Sequence, residues 1–366
     1  MALGYCEALL RHLRSINTQN YPGTKVTPPG ALRLLLDNPD RPNVIGEAYT
    51  DGHRREMRVK YKVRSVLSQT STSRSCDYNI IPVYKETTAP INNYVQIALR
   101  IDDDTIRQYC EDASNTVALP GSNPPTTLMA EHLDSILHAL NGPIQRMDTV
   151  LLTSMVANFG VNVATGNNAA QTINISKDLQ IQDLNDGILK ILADFQDNEM
   201  IGTPQVVGSG LFNKWAMLQP FKQMDFSGIN SPAQLQMFQW YNDAKSSTIM
   251  GADQIGVVAP GTFHLLENLR NVGSFAGTKG GSTFATMTDP YTGLRWDIQF
   301  KYYDCPTTVT NAYSGATSTI DMGWVLIISK YYDLFVTPAS AFDGADVLAG
   351  VNGAFRYTIS NACETC

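Results

Sequence analysis

The chain predicts an α+β fold, with helices and strands mixed and no steady βαβ alternation. Three observations carry that expectation. Leu128, Leu133, Ile136, Leu137 and Leu140 share one broad helical face. Trp296, Ile298, Phe300 and Tyr302 alternate with Asp297, Gln299 and Lys301, the period-two pattern of a half-buried strand. Between Arg54 and Arg64 runs a basic ribbon in which Arg58, Lys60, Lys62 and Arg64 occupy every second residue and Met57, Val59, Tyr61 and Val63 lie between them. A strand turns alternate side chains to opposite faces, so this ribbon has one cationic and one apolar face. Four like charges on one strand face repel. A solvated face is the plain reading of a single charged strand. The sharper one is an assembly contact with something negative, made by Arg54, Arg55, Arg58, Lys60, Lys62 and Arg64.

The elements follow in order. Residues 1–13 have Glu7 inside their apolar stretch and no basic region in front, so they read as an amphipathic helix and not as a signal peptide. Pro22, Pro28, Pro29, Pro39 and Pro42 impose an extended arm, interrupted by the short apolar piece Ala31–Leu36. The basic ribbon, the polar stretch Ser68–Ser75 and a second strand at Tyr78–Tyr84 make a long hairpin. Such a hairpin is too thin to be stable alone. From Thr126 to Phe159 the pattern is helical, with Gly142-Pro143 expected to kink or break it. A strand-like piece, Gln171–Ser176, precedes the helical stripe of Ile181, Leu184, Ile188, Ile191, Leu192 and Phe195. After the turn at Gly202–Pro204 come the short strand Gln205–Gly208 and the buried-looking strand Gln254–Ala259, with helices expected at Phe212–Leu218, Ala233–Lys245 and Phe263–Arg270. The last third is mostly strands. Asp289-Pro-Tyr-Thr-Gly293 is a turn between Thr283–Met287 and Arg295–Tyr303. A polar loop, Thr307–Thr319, leads to the apolar strand Trp324–Ser329, and Phe335-Val-Thr-Pro and Ala354–Ile359 supply closing strands.

Composition narrows the function. At 366 residues the chain holds two or three compact units. Only 17% of residues are charged, against a usual quarter, which suits large uncharged polar surfaces that meet other proteins. A net charge of −7 argues against a dedicated DNA binder. No apolar run is long enough to span a bilayer. Six scattered cysteines fit reduced thiols and synthesis in a cytoplasm.

Motifs of chemistry are nearly absent. Gly277–Thr283 lacks the spacing of a phosphate-binding loop and reads as a mobile glycine loop. Asp102-Asp103-Asp104 reads as a solvated acidic turn, with an acidic surface for the basic ribbon as the second reading. Cys363-x-x-Cys366 has zinc-ligand spacing but no second pair. His132 and His138, six apart on a helix, cannot share a face for a metal. The expectation is a protein that is not an enzyme and uses no cofactor or metal.

The order of parts then carries a resemblance. A proline-rich arm, a long basic hairpin, a long helix, a compact α/β unit and late strands together resemble the tailed-phage major capsid proteins of the Hong Kong 97-type fold. The stretches that carry it are Leu184–Phe195 followed by Thr203-Pro-Gln-Val-Val-Gly208, Gly256-Val-Val-Ala-Pro-Gly-Thr-Phe-His-Leu-Leu266, and Asp289-Pro-Tyr-Thr-Gly293 before Leu294-Arg-Trp-Asp-Ile298. It implies an N-terminal arm at 1–46, an extended hairpin (E-loop) at 47–100, a P-domain with a spine helix at 101–177 and 320–366, and an A-domain at 178–319. It also implies a subunit that forms hexamers and pentamers in an icosahedral virion shell around double-stranded DNA, without reading its sequence. Synthesis would be in the bacterial host cytoplasm. The chain ahead of the hairpin is too short for a fused scaffolding domain, so assembly would need a separate scaffold or another mechanism; the resemblance also implies a portal and cement proteins as partners. Two other readings stay open. One is a different virion structural protein, such as a tail-tube or adhesin subunit. The other is an enzyme with a site around Asp289, Arg295 and Asp297.

Overall fold

A computed structural model of the chain describes residues 30–37, 43–48, 56–62, 84–102, 135–159, 171–174, 190–198, 200, 202–209, 238–271, 276–289, 292–303, 307–310, 314–320, 323–338 and 353–360. They form a mixture of helices and sheets. The expected helix at residues 1–13, the proline arm up to Pro29, the helix at Phe212–Leu218, the hairpin tip at Ser68–Ser75 and the pair Cys363/Cys366 lie outside the described residues. The chain divides into two compact units.

One unit takes Asn93–Arg146 and Glu267–Tyr332. Its sheet runs β10 (Gly277–Lys279), β11 (Ser282–Thr288), β12 (Arg295–Tyr303), β15 (Gly323–Val336) and β4 (Asn93–Asp102), each antiparallel to its neighbour. Strand β15 continues beyond Tyr332 into the other unit, and β9 (Phe263–Asn268) pairs with it off this path. The alternation expected for β12 is observed in part: Tyr302 is exposed and Asp297 is buried. Trp296, Ile298 and Phe300 are buried, in register with Met287 and Ala285 of β11 and with Ile328 and Leu326 of β15. A hairpin of β13 (Thr307–Thr310) and β14 (Thr317–Ile320) replaces the loop expected over Thr307–Thr319. Threonine-rich segments have strand propensity even without apolar residues. Gly277–Thr283 likewise forms a tight hairpin: Gly280 and Gly281, at φ of 54° and 76°, make the two-residue turn between β10 and β11. Positive φ at both positions is what such a turn demands.

The other unit takes Pro29–Asn92, Met147–Leu266 and Asp333–Cys366. A five-stranded sheet orders β5 (Gln171–Asn174), β16 (Ala354–Ser360), β8 (Gln254–Val258), β6 (Gln205–Gly208) and β7 (Gln239–Asn242). The β5–β16 and β6–β7 pairs are parallel and the inner pairs antiparallel. Against it a helix over residues 190–197 buries Ile191 and Phe195 with Val206, Ile255, Val257, Phe355 and Tyr357. The Tyr357 hydroxyl donates to Asp194 Oδ2 at 2.9 Å, and both burial and that carboxylate raise its pKa. Two of the helices expected here are corrected. Strand β9 occupies Phe263–Asn268, and within Ala233–Lys245 residues Gln239–Asn242 form β7. A short apolar run fits either period, and pairing with a neighbouring strand decides it.

Helix α2 (Asn141–Asn158) begins at the dipeptide expected to break it. Pro143 lies in its first turn, where no intrahelical bond needs its missing N–H. Residues 135–139 are already helical, and the Leu140 N–H to Ile136 O and Ile144 N–H to Leu140 O bonds carry the ladder across the junction. Its stripe of Ile144, Met147, Leu151, Leu152 and Met155 is buried. At its end the Phe159 ring meets Phe263 edge-on at 5.7 Å and fills the space over Gly256. A Cβ at Gly256 would run into that ring, so a glycine interrupts an otherwise apolar buried strand.

Candidate functional site

The basic ribbon forms a small sheet of its own. Strands β1 (Asn43–Ala48), β2 (Glu56–Lys62) and β3 (Tyr84–Pro90) are antiparallel and pair only with one another among the described strands. The expected hairpin is present, but its return strand is Tyr84–Pro90, with Lys62 opposite Tyr84. Residues 78–83, where that strand was expected, lie outside the described residues. The two-faced reading of β2 holds: Met57 and Val59 are buried, whereas Arg58 is exposed and Lys60 half-buried. Lys62 is on the same strand, and Arg54, Arg55 and Arg64 fall outside the described residues.

Cross-strand neighbours temper the charge. Arg58 stands opposite Thr88 and Gly46, and Lys60 opposite Glu86. One unit of negative charge is therefore built beside the cations, as cross-strand pairing favours. A register shift between Val44 and Gly46 marks a bulge in the edge strand β1. Bulges twist an edge and discourage unplanned strand addition.

Asp289, Arg295 and Asp297 each make bonds that hold local structure. Asp289 is buried in its turn: its N–H donates to Leu294 O at 2.8 Å, its carbonyl accepts from Gly293 at 2.9 Å, and its carboxylate accepts from the Thr292 hydroxyl. Asp297 accepts from the backbone N–H groups of Arg270 and Asn271 at 2.8 and 2.9 Å, which fixes the exit of β9. Burial raises its pKa against those bonds. Arg295 contributes its backbone carbonyl, which accepts from Lys330 Nζ at 2.6 Å. Among the described residues no three His, Cys, Asp or Glu side chains gather as a metal cage, and no helix is long and apolar enough to cross a membrane. His138 is exposed on the helical stretch before α2, and His132 lies outside the described residues.

A second polar cluster was not legible in the sequence. Helix α1 (Gly30–Asp37) buries Ala31, Leu32, Leu34 and Leu35 and presents its first N–H groups to two buried carboxylates. Ala31 N–H donates to Asp243 Oδ2 at 3.2 Å and Leu32 N–H to Asp148 Oδ1 at 3.1 Å. Both serve as helix-capping acceptors supplied from distant chain segments. Lys245 Nζ closes the cluster on Asp148 Oδ2 at 3.0 Å, and Lys245 N–H donates to Asp243 Oδ1 at 2.9 Å. Gly30 makes the close approach possible, since a Cβ there would run into Asn242 O. The one available signal was Asp148 itself, an acid set among the buried positions of α2.

Burial, and next the nearby Asp243, push the Asp148 pKa up to about 6 against the opposing pull of Lys245. Between about pH 4 and 6 the folded protein keeps a proton that the unfolded chain has lost. The contribution is fully present below the unfolded pKa and fades as pH rises through about 6, a change of roughly 3 kcal/mol. Asp148→Asn is expected to remove that slope. Denaturation midpoints measured from pH 4 to 7 check it: the wild-type midpoint falls more steeply than the variant's.

No protein-family profile matches the chain, and no curated protein matches it. Solved structures do. A chain from Mycobacterium phage Adephagia is similar at 9% identity and a TM-score of 0.43, over 95% of this chain and 94% of that one. One from Mycobacterium phage Cain is similar at 10% identity and a TM-score of 0.42, over 97% and 98%. The capsid of Myoviridae phage XM1 is similar at 8% identity and a TM-score of 0.39, over 96% and 98%.

Proposed function

We propose that this chain is the major capsid protein of a tailed bacteriophage, a shell subunit that assembles through hexamers and pentamers into an icosahedral container for double-stranded DNA. The observation that carries the reading is the β1–β2–β3 ribbon. It is an antiparallel sheet that shares no strand with the two larger sheets, buries Met57 and Val59 on one side and turns Arg58 out on the other. A three-stranded ribbon gains little stability by itself and gains much by lying on a second surface. In a closed shell many such modest contacts combine, because each subunit is held by several neighbours at once. The reading places the ribbon, with Arg54, Arg55, Arg58, Lys60, Lys62 and Arg64 as assembly contacts, over an acidic surface of the next subunit. It keeps the arm at 1–46, the hairpin at 47–100, the P-domain at 101–177 and 320–366 and the A-domain at 178–319, with a separate scaffold, a portal and cement proteins as partners. No catalytic role is assigned.

Negative-stain electron microscopy of the expressed protein, alone and with the products of neighbouring genes, tests it together with light scattering. Closed shells or capsomer-sized rings are expected. A monomer under every condition, or open tubes, would overturn the reading.

A further inference from the structure

Helix α1 packs on the β6–β7 side of the five-stranded sheet and is held there at both ends. At its start the Ala31 and Leu32 N–H groups donate to Asp243 Oδ2 and Asp148 Oδ1, while Lys245 Nζ bonds the other Asp148 oxygen. At its end the Asp37 carboxylate lies beside the Tyr241 hydroxyl. Burial, and next that carboxylate, push the Tyr241 pKa up to about 12, so the phenol stays neutral near pH 7. Charged groups around Asp148 are few. Asp243 and Lys245 follow β7, and Arg146, the other charged residue of α2, is exposed. Arg33 of α1 is exposed and paired with Asp37 at 3.4 Å. Strand β6 and the short helix Ser246–Ile249 carry no ionisable side chain. The apolar cluster of Ile191, Phe195, Val206, Val257, Phe355 and Tyr357 draws on no residue of α1.

We propose that α1 is a latch that locks onto the sheet in mildly acidic conditions and comes off as the medium turns neutral, while the sheet beneath it stays folded. An eight-residue helix has too few internal bonds to persist alone, so its docking contacts decide whether it forms. With Asp148 charged, two buried carboxylates share one ammonium group and the N–H donors of α1. With a proton on Asp148 one of those charges is gone, and Asp243 keeps its bonds to the Ala31 and Lys245 N–H groups. Docking holds that proton up to a pKa of about 6. Docking strength is therefore fully present below the ordinary aspartate pKa and fades as pH rises through about 6. Release bears on the basic ribbon. Five residues separate Asp37 from Asn43, where β1 begins, and the eight residues of α1 add about 28 Å of extended chain to that tether. The latch does not depend on the shell reading, since it is built within one subunit.

The experiment is amide hydrogen exchange of the full chain as dispersed subunits, read by mass spectrometry from about pH 5 to 8 and corrected for intrinsic rates. Peptides over residues 30–37 are expected to exchange well ahead of those over β6 and β8, with little sensitivity to added urea, the mark of a local opening. Their protection is expected to fall by up to about tenfold between about pH 5 and 7. Asp148→Asn is expected to flatten that dependence. Lys245→Met removes a group that pulls the Asp148 pKa down, so it is expected to move the loss of protection to higher pH. The proposal is overturned if α1 is as protected as β8 at every pH, because α1 then leaves only when the whole unit unfolds. It is also overturned if α1 protection is the same at both ends of that range, or if the change persists in folded Asp148→Asn. Should Asp148→Asn fail to fold, Lys245→Met decides, and an unchanged midpoint in that variant overturns the latch.

Discussion

Reversing Arg58, Lys60 and Lys62 to glutamate is expected to abolish assembly while leaving the subunit folded. Arg58 is exposed on β2, and its cross-strand neighbours Thr88 and Gly46 carry no charge, so its reversal costs the ribbon little. Lys60 is opposite Glu86, so its reversal sets like charges face to face, a penalty of about 0.2–1 kcal/mol. That is small against the stability of a whole domain. At an interface between subunits the same change turns attraction into repulsion at every repeated contact, and the penalty is multiplied around the shell. Sedimentation and electron microscopy read assembly, and circular dichroism reads folding. Lys60→Glu with Glu86→Lys restores the pair within the ribbon and serves as the control. Normal particles from the triple variant would remove the ribbon from the assembly contacts. A triple variant that is unfolded, with the paired control also unfolded, would place the role of these residues inside the subunit.

Glu267→Ala is expected to be the most damaging single change in the first unit, at about 3–5 kcal/mol, because it strands a buried cation. Lys330 is fully buried on β15, with Nζ 2.7 Å from Glu267 Oε1 and 5.5 Å from the centre of the Trp296 ring. Burial lowers its pKa, against the pull of Glu267. Lys330→Met removes the charge together with its need for a partner. What remains is an unpaired Arg295 carbonyl, at about 1–3 kcal/mol, and a Glu267 side chain with enough exposure to hydrate. Glu267→Ala is therefore expected to cost more than Lys330→Met, read as shifts of the urea midpoint at constant slope. The opposite order would show that Lys330 matters for its packing and its bond to Arg295, and not as a cation that must be neutralised.

Local physics was legible in the residues alone. The alternation of β12, the two faces of β2, the turn from Asp289 to Gly293 and the short buried strands β6 and β8 each follow from side-chain periodicity or from a conformational demand on one residue. Such features need no partner to be specified. Where the residues misled, pairing over long range decided. Phe263–Asn268 spaces its apolar residues well enough for a helix and becomes a strand because β15 offers it an edge. The β13–β14 hairpin has no apolar run to announce it, and the return strand of the basic hairpin is set by register with β2. The Asp148–Asp243–Lys245 clasp on α1 joins residues far apart in the chain. Which segments alternate, turn or coil, and which faces carry charge, is written in the residues themselves, because those properties depend on neighbours a few positions away. Which charges meet is a product of the folded molecule, because burial and register bring them together only once the sheets have formed.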